Sequence, residues 1–215
     1  MKKLIILGAS GASLDILSII EDINEYGEDQ IEFLGFYEDR KDKVKKNLHK
    51  LIIGNFKKKK IYKDVNYITA LGNEKNFFFR DKIINQLEIP LRKYTNIIHP
   101  QTTIHKSVKI GFGNVIHSYV NVGRSSKIGN HCVFLPKSTL SHDSELGCYS
   151  ILSSHVIISG NTKIGKLCYF GAGTSLRDGI NITSKVLTGV GSVVVKNINR
   201  PGFYYGVPSQ LKKNI

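Results

Sequence analysis

The sequence contains little cysteine and no long apolar segment. Three cysteines occur in 215 residues, and none has the spacing of metal ligands. A disulfide framework is therefore excluded, no metal is expected, and Cys132 and Cys168 are predicted to be inert core thiols in a reducing compartment. No apolar run approaches the roughly 20 residues of a membrane span, and the N-terminus lacks a signal-peptide cleavage pattern. We therefore expect a cytoplasmic protein without a membrane span.

Acidic residues are also scarce. Aspartate and glutamate number 17 against 31 lysines and arginines, which gives a formal net charge of +14 and a pI near 9.6. Such an excess is compatible with nucleic acid, an anionic membrane or small polyanionic substrates. Much of it lies in lysines with few aromatic residues among them: Lys41, Lys43, Lys45, Lys46 and the run 57–60. We interpret these lysines mainly as solvated surface and expect no nucleic-acid partner.

A six-residue repeat dominates the second half of the chain. Every sixth position carries a large apolar side chain: Ile98, Ile104, Ile110, Ile116, Val122, Ile128, Phe134, Leu140, Leu146, Leu152, Ile158, Ile164, Phe170, Leu176 and Ile182. Two residues earlier, small or β-branched residues recur, with Asn114 as the exception. A spacing of two places both residues on one face of a strand, and the remaining four residues form a corner. Three such strands close a triangular coil, so the repeat predicts a parallel β-helix of about five coils.

Glycines follow the large position at 111, 123, 129, 147, 165 and 171, where we expect a bend or close packing. Near the end, Leu187 and Val193 suggest that the hexad slips by one residue. We expect an irregular last coil.

The first ninety residues have a different pattern. A strand at 4–7, a glycine turn at 8–13 and a helix with apolar residues at 14, 17, 20 and 23 are followed by strands at 31–37 and 67–71 and a helix at 74–87. This alternation predicts a small parallel sheet that binds its ligand at the carboxyl edge. The fold class is therefore α/β plus all-β, with a Rossmann-like domain over residues 1–94 and a β-helix over 95–215.

The repeat resembles the left-handed β-helix of the hexapeptide acyltransferases, and segments 195–198 (VKNI) and 206–209 (GVPS) resemble their closing tail. The chain is similar to bacterial nucleotide-sugar N-acetyltransferases that act on 4-amino-sugars, and to sialic acid O-acetyltransferases. The resemblance is strong for 95–210 and looser for 1–94. It implies that the first domain binds the nucleotide-linked amino-sugar through Gly11, Ala12, Ser13, Glu38, Asp39 and Gly72. Many relatives have His-Gly where this chain has Ala12-Ser13.

Transfer of an acyl group from a thioester requires a base and a donor to the developing oxyanion. Among seven histidines, His142 stands out because it lies at a predicted corner and precedes Asp143, whose carboxylate can fix the imidazole tautomer. The family's catalytic histidine and its acidic neighbour match this pair. His117 and His131 are expected at exposed positions of the repeat.

The resemblance also implies acetyl-CoA as co-substrate, bound between adjacent β-helices of a homotrimer. Backbone amides of Gly160, Ala172 and Val190 would line its pantetheine arm, and Gly189 would permit close approach. Four alternatives stay open: O-acetylation of a sialic acid or another sugar, a non-catalytic trimeric scaffold, nucleic-acid binding driven by the positive charge, and a first domain that only caps the β-helix.

Overall fold

The first domain is a four-stranded parallel sheet between two helical layers. The computed structural model describes residues 1–27, 29–40, 42, 44, 46–57 and 59–214. Lys41, Lys43, Lys45 and Lys58 of the predicted lysine surface lie outside them. The strand order is β3-β2-β1-β4, with the bounds β1 (Lys2–Leu7), β2 (Ile31–Tyr37), β3 (Ile52–Gly54) and β4 (Asn66–Thr69).

Two helices cover the two sides of this sheet. Helix α1 (Gly11–Tyr26) buries Ile16, Ile19, Ile20 and Ile23 in one apolar cluster with Leu4 and Ile6 of β1. Helix α2 (Arg80–Asn85) places Ile84 in a second cluster with Ile5 and Leu7. Among the described residues, the domain also contains 3-10 helices at Lys46–Leu51, Phe77–Phe79 and Leu91–Lys93.

The helix predicted at 74–87 is shorter than expected. Residues 74–76 form a turn, Phe77–Phe79 is a 3-10 helix, and α2 begins only at Arg80. The side chain of Asn76 accepts a hydrogen bond from the N–H of Asn73, and that of Asn73 accepts one from the N–H of Lys75. Asparagine side chains compete in this way with the helical hydrogen bonds of their own backbone.

The hexads form a three-sided parallel β-helix with one short strand per side. Face 1 consists of β5 (Ile97–Ile98), β8 (Val115–Ile116), β11 (Val133–Phe134), β14 (Ile151–Leu152), β17 (Tyr169–Phe170), β20 (Val186–Thr188), β22 (Gly202–Tyr205) and β23 (Gln210–Lys213). Face 2 consists of β6 (Thr103–Ile104), β9 (Asn121–Val122), β12 (Thr139–Leu140), β15 (Ile157–Ile158), β18 (Ser175–Leu176) and β21 (Val193–Val194). Face 3 consists of β7 (Lys109–Ile110), β10 (Lys127–Ile128), β13 (Glu145–Leu146), β16 (Lys163–Ile164) and β19 (Asn181–Ile182).

Strand pairing and corner conformation repeat regularly along this helix. From β5 to β21, paired residues are 18 positions apart, as Phe134 and Leu152 are, whereas Val186 of β20 pairs with Gly202 of β22, 16 positions further on. We name the corners 1/2, 2/3 and 3/1 after the faces they join. From the third corner to the one at Gly191, each holds a residue with φ between 55° and 70°: Gly113, Tyr119, Ser125, His131, Lys137, Asp143, Tyr149, His155, Asn161, Leu167, Gly173, Gly179, Lys185 and Gly191. The predicted large positions fill the interior, which is one continuous apolar cluster.

The small row is buried as well. Cys132 and Cys168 are fully buried, and burial raises the pKa of each thiol to about 12. Both thiols therefore stay protonated and unreactive at neutral pH, as predicted.

The predicted slip of the hexad near the end is wrong. Thr188 pairs with Phe170, and Val194 pairs with Leu176, so the original phase continues. Thr188 is buried, and its hydroxyl lies 2.9 Å from that of Thr174, which satisfies a polar side chain at an interior position. The sequence pattern misled because a threonine occupies a position that is apolar everywhere else in the row.

The sheet domain packs against face 1 and corner 3/1 of the β-helix. Ile97 and Val115 belong to the same buried cluster as α1. The guanidinium of Arg80 donates from Nε to the carbonyl of Leu71 at 2.8 Å and from Nη1 to the carbonyl of His131. These contacts join the end of β4 directly to a corner of the β-helix.

His131 lies at the centre of this interface. Its ring stacks on Tyr149 at 5.3 Å and meets the edge of Tyr94 at 4.5 Å. The residue is only 2% exposed, and His117 is also buried, so the exposed positions predicted for both histidines are wrong. Burial lowers the pKa of His131 to about 4. The docking of the first domain, which the repeat alone does not encode, causes this burial.

The chain ends in a hairpin. Strand β22 extends face 1 in parallel with β20, and β23 returns antiparallel to it. Within the described residues, no helix combines the length and apolarity that crossing a membrane demands.

The buried imidazole makes stability depend on pH. His131 has a pKa of about 4 when folded and about 6.5 when unfolded, so unfolding takes up a proton between these values. We expect the stabilisation from neutral His131 to be complete above pH 6.5 and to fall by about 3 kcal/mol towards pH 4. The difference in the free energy of unfolding between wild type and His131→Asn, measured by urea unfolding, should become smaller by this amount as the pH falls from 6.5 towards 4.

Asparagine suits this test because it tolerates a positive φ. The control is His155→Asn, at an exposed corner with φ 59°. The difference between its unfolding midpoint and that of wild type should be the same at every pH. A constant stability difference between wild type and His131→Asn would contradict the assignment.

Candidate active site

His142 and Asp143 form a hydrogen-bonded pair at corner 2/3. Nδ1–H of His142 donates to Oδ2 of Asp143 at 2.9 Å. Adjacent side chains on a flat strand point in opposite directions, but Asp143 has φ 57°, and the chain turns between the two residues. The carboxylate thus fixes the tautomer of the neutral ring, in which Nε2 is the acceptor nitrogen. The His142 side chain is 60% exposed, so this nitrogen is accessible.

Gly160 lies one coil above His142 at the same corner. A Cβ on Gly160 would lie 2.7 Å from both Cε1 and Nε2 of the imidazole, so only glycine leaves room for the ring in this position. The structure therefore brings together His142, Asp143 and Gly160.

Ala172, Gly189 and Val190 lie at corner 1/2, on the far side of face 2 from His142. They line a groove together with Tyr169, Phe203 and Tyr205. A Cβ on Gly189 would collide with the Tyr205 ring. Among the hydrogen bonds of the described residues, none uses the backbone N–H of Gly160, Ala172 or Val190. These three amides are available to an extended ligand with carbonyl groups, which fits the pantetheine arm of acetyl-CoA.

A cleft of about 180 Å³ separates the carboxyl edge of the sheet from face 1. Two of the predicted substrate residues, Ala12 and Gly72, line it. Gly11 begins α1 beside them, and an added Cβ there would meet nothing within 4 Å. The fold therefore has no steric need for glycine at position 11.

Glu38, Asp39 and Ser13 lie apart from this cleft. Glu38 and Asp39 line a second groove at the end of β2, with Arg40, Lys57 and Lys59. The Glu38 carboxylate accepts hydrogen bonds from the N–H groups of Ala9 and Arg40, and Asp39 accepts one from the N–H of Phe56. Ser13 is buried, and its hydroxyl donates to the carbonyl of Ser10. All three residues have structural partners within the domain.

The sequence analysis does not predict a place in the cleft for five of its polar or aromatic residues: Asp15, Thr69, Arg80, His117 and Tyr169. Burial lowers the pKa of His117, and the nearby Asp15 partly opposes this shift. No local motif marks these side chains, since they meet only when the two domains pack. Among the described residues, no cluster of His, Cys, Asp or Glu could hold a metal ion.

The comparisons with known proteins agree with this architecture. Residues 3–87 match the PglD N-terminal domain. The acetyltransferase domain of PglB from Neisseria gonorrhoeae is 25% identical, with a TM-score of 0.81 over 99% of this chain and 100% of that one. Its complex with acetyl coenzyme A gives a TM-score of 0.82 over 98% of this chain and 99% of that one. The predicted resemblance to an acetyltransferase of this two-domain fold is confirmed.

More distant structures share the fold. PerB from Caulobacter crescentus, in complex with CoA and GDP-perosamine, is 20% identical, with a TM-score of 0.78 over 98% of this chain and 97% of that one. WeeI from Acinetobacter baumannii is 19% identical, with a TM-score of 0.79 over 97% and 99%. A comparison with curated sequences finds no match. The predicted fold class, a Rossmann-like domain followed by a β-helix, is confirmed.

The two glycines of the first turn should respond oppositely to alanine. Gly8 has φ +104°, and a Cβ there would lie 2.9 Å from Leu71, whereas Gly11 begins a helix in open space. We expect Gly11→Ala to raise the free energy of unfolding by about 0.4–1 kcal/mol and Gly8→Ala to lower it by more than that. Thermal unfolding of both variants checks this prediction. A loss of stability in Gly11→Ala would show that the fold, rather than a ligand, requires this glycine.

Proposed function

We propose that this protein transfers the acetyl group of acetyl-CoA to the amine of a nucleotide-linked amino-sugar. The observation that carries the proposal is the His142 imidazole, held by Asp143 and seated over Gly160 at an exposed corner. The complex of the PglB acetyltransferase domain with acetyl coenzyme A supports the donor. The acceptor class follows from the resemblance to amino-sugar N-acetyltransferases, and PerB, which shares the fold, was crystallised with GDP-perosamine.

In the proposed reaction His142 is the general base. Nε2 takes a proton from the sugar amine as its nitrogen attacks the acetyl carbonyl, while Asp143 holds Nδ1–H and stabilises the imidazolium. The unpaired N–H of Gly160 donates to the oxyanion. The carbon–sulfur bond then breaks, and the thiolate of CoA leaves and takes up the proton. No covalent intermediate on the protein is needed, because the site holds both substrates together.

A homotrimer completes this site. The sheet–helix cleft lies on face 1, whereas His142 lies at corner 2/3, the corner opposite that face. One subunit therefore cannot present both to one substrate, and we propose that His142 of one copy meets the cleft of the next. Exposed apolar side chains on face 2 and corner 1/2 suit such an interface: Tyr119, Ile157 and Val190, the last 82% exposed.

We propose the cytoplasm as the site of action. All three cysteines are free, as expected in a reducing compartment. The domains proposed to act as units are residues 1–94 for the nucleotide-sugar and 95–215 for acyl transfer.

Replacement of His142 tests the proposed base. Release of the CoA thiol from acetyl-CoA would be measured with UDP-, dTDP- and GDP-linked 4-amino-sugars and with free sialic acid. With the best acceptor, His142→Asn should lower kcat by about 10²–10⁴-fold, while the variant stays folded and trimeric. His105→Asn, two coils lower at the same corner, is the matched control and should keep wild-type turnover. Wild-type turnover in His142→Asn would show that His142 is not the general base. If sialic acid is the only acceptor, the result favours O-acetylation.

Gly160 provides a second test. A methyl group at this position overlaps the present place of the imidazole, 2.7 Å from Cε1 and Nε2, so the ring must move. We expect Gly160→Ala to lower kcat at least about 10-fold with an unchanged melting temperature. If kcat stays at the wild-type value, the seat of the ring on Gly160 has no role in transfer.

A further inference from the structure

Arg80 is a buried cation without a carboxylate partner. The residue is 1% exposed, and its guanidinium donates only to the backbone carbonyls of Leu71 and His131. No carboxylate pairs with it in any part of the chain that the structure describes. Burial lowers its pKa to about 10, so it remains charged at neutral pH. Buried charges in proteins are normally paired, so this one lacks its expected counter-charge.

The geometry directs this cation to the cleft between the sheet and face 1. Arg80 lines that cleft, and two carbonyl contacts use only part of its five donors. A Cβ on Gly72 would lie 2.5 Å from Cδ of Arg80, so Gly72 makes room for the arginine stem. The predicted substrate residue Gly72 thus acts by admitting Arg80.

Thr69 provides an independent second observation. It is 2% exposed and lines the same cleft, and its hydroxyl has no hydrogen-bond partner. A buried hydroxyl without a hydrogen-bond partner is costly, which indicates that a ligand atom serves as its partner. The first turn of α1 lies across the cleft; it contains no acidic residue, and its N-cap Ser10 makes no side-chain cap. The N–H groups of Gly11 and Ala12, which have no hydrogen-bond partner among the described residues, add positive potential.

We propose that Arg80 and Thr69 form the subsite for the diphosphate of the nucleotide-linked sugar, facing the first turn of α1. This inference rests on the proposed function, because it assigns a role within that substrate. Phosphate oxygens match the forked donors of arginine and accept from a hydroxyl. The diphosphate supplies the counter-charge that the guanidinium lacks.

Calorimetric binding to the full-length protein tests the subsite without relying on turnover. The probes are UDP, GDP, dTDP and the three corresponding nucleosides. Wild type should bind one diphosphate about 100-fold more tightly than its nucleoside. Thr69→Val should reduce that preference about 5–10-fold without lowering the melting temperature, because the free hydroxyl has no partner to lose. Arg80→Met should remove most of the preference, and Arg80→Lys, which keeps the charge without the fork, should remove part of it.

The outcomes separate the two proposals. Thr95→Val, at the opposite edge of the sheet, is the control and should keep the full preference. If wild type prefers the diphosphate but Thr69→Val and Arg80→Lys retain that preference unchanged, the subsite is wrong and the proposed function stands. If wild type binds none of the diphosphates, the nucleotide-linked acceptor is wrong and the subsite with it. Should Arg80→Met fail to fold, the other two variants decide.

Discussion

The β-helix depends on a left-handed backbone at its corners from Gly113 to Gly191. One residue in six adopts a positive φ, and in most corners this residue is not glycine. For an L-residue this conformation costs about 1–2 kcal/mol, and only the stacking of interior side chains between coils offsets it. The same constraint creates the candidate site, because Asp143 occupies such a position and its side chain turns towards His142. The scaffold and the geometry of the candidate site therefore share one cause: a flat strand in place of the corner would separate the carboxylate from the imidazole.

The repeat could be predicted from the sequence because burial has the period of the strands and corners. The row from Ile98 to Ile182, the small row and the two-domain order all follow from local patterns. Thr188 shows the limit: its polarity obscured the phase, although a neighbouring hydroxyl satisfies it in the interior. Glycines such as Gly147 allow coils to approach closely, as a Cβ there would lie 2.5 Å from the next coil. Their φ values are ordinary, and the left-handed corners fall elsewhere.

The candidate site could be predicted only where it is local. His142 and Asp143 are adjacent in sequence, so spacing sufficed to pair them. Arg80, Thr69 and His117 come from different elements and meet only when the sheet docks on face 1, which no periodicity encodes. The repeat predicts an exposed His131 for the same reason. It places this residue at a corner, and Tyr94 from the other domain covers it. The sequence pattern of a single element cannot predict which of its residues domain packing buries.

Several glycines of the site make room for a side chain. Gly160 admits the His142 ring, Gly72 the stem of Arg80 and Gly189 the ring of Tyr205. The resemblance implies that these glycines contact substrates. In the structure, each of them makes room for a neighbouring side chain. Each missing Cβ lets a long side chain lie close to the backbone. Gly11 differs, because an added Cβ there would meet no atom of the described residues within 4 Å. An alanine at 72, 160 or 189 therefore displaces a neighbouring side chain, whereas an alanine at 11 displaces none of those described.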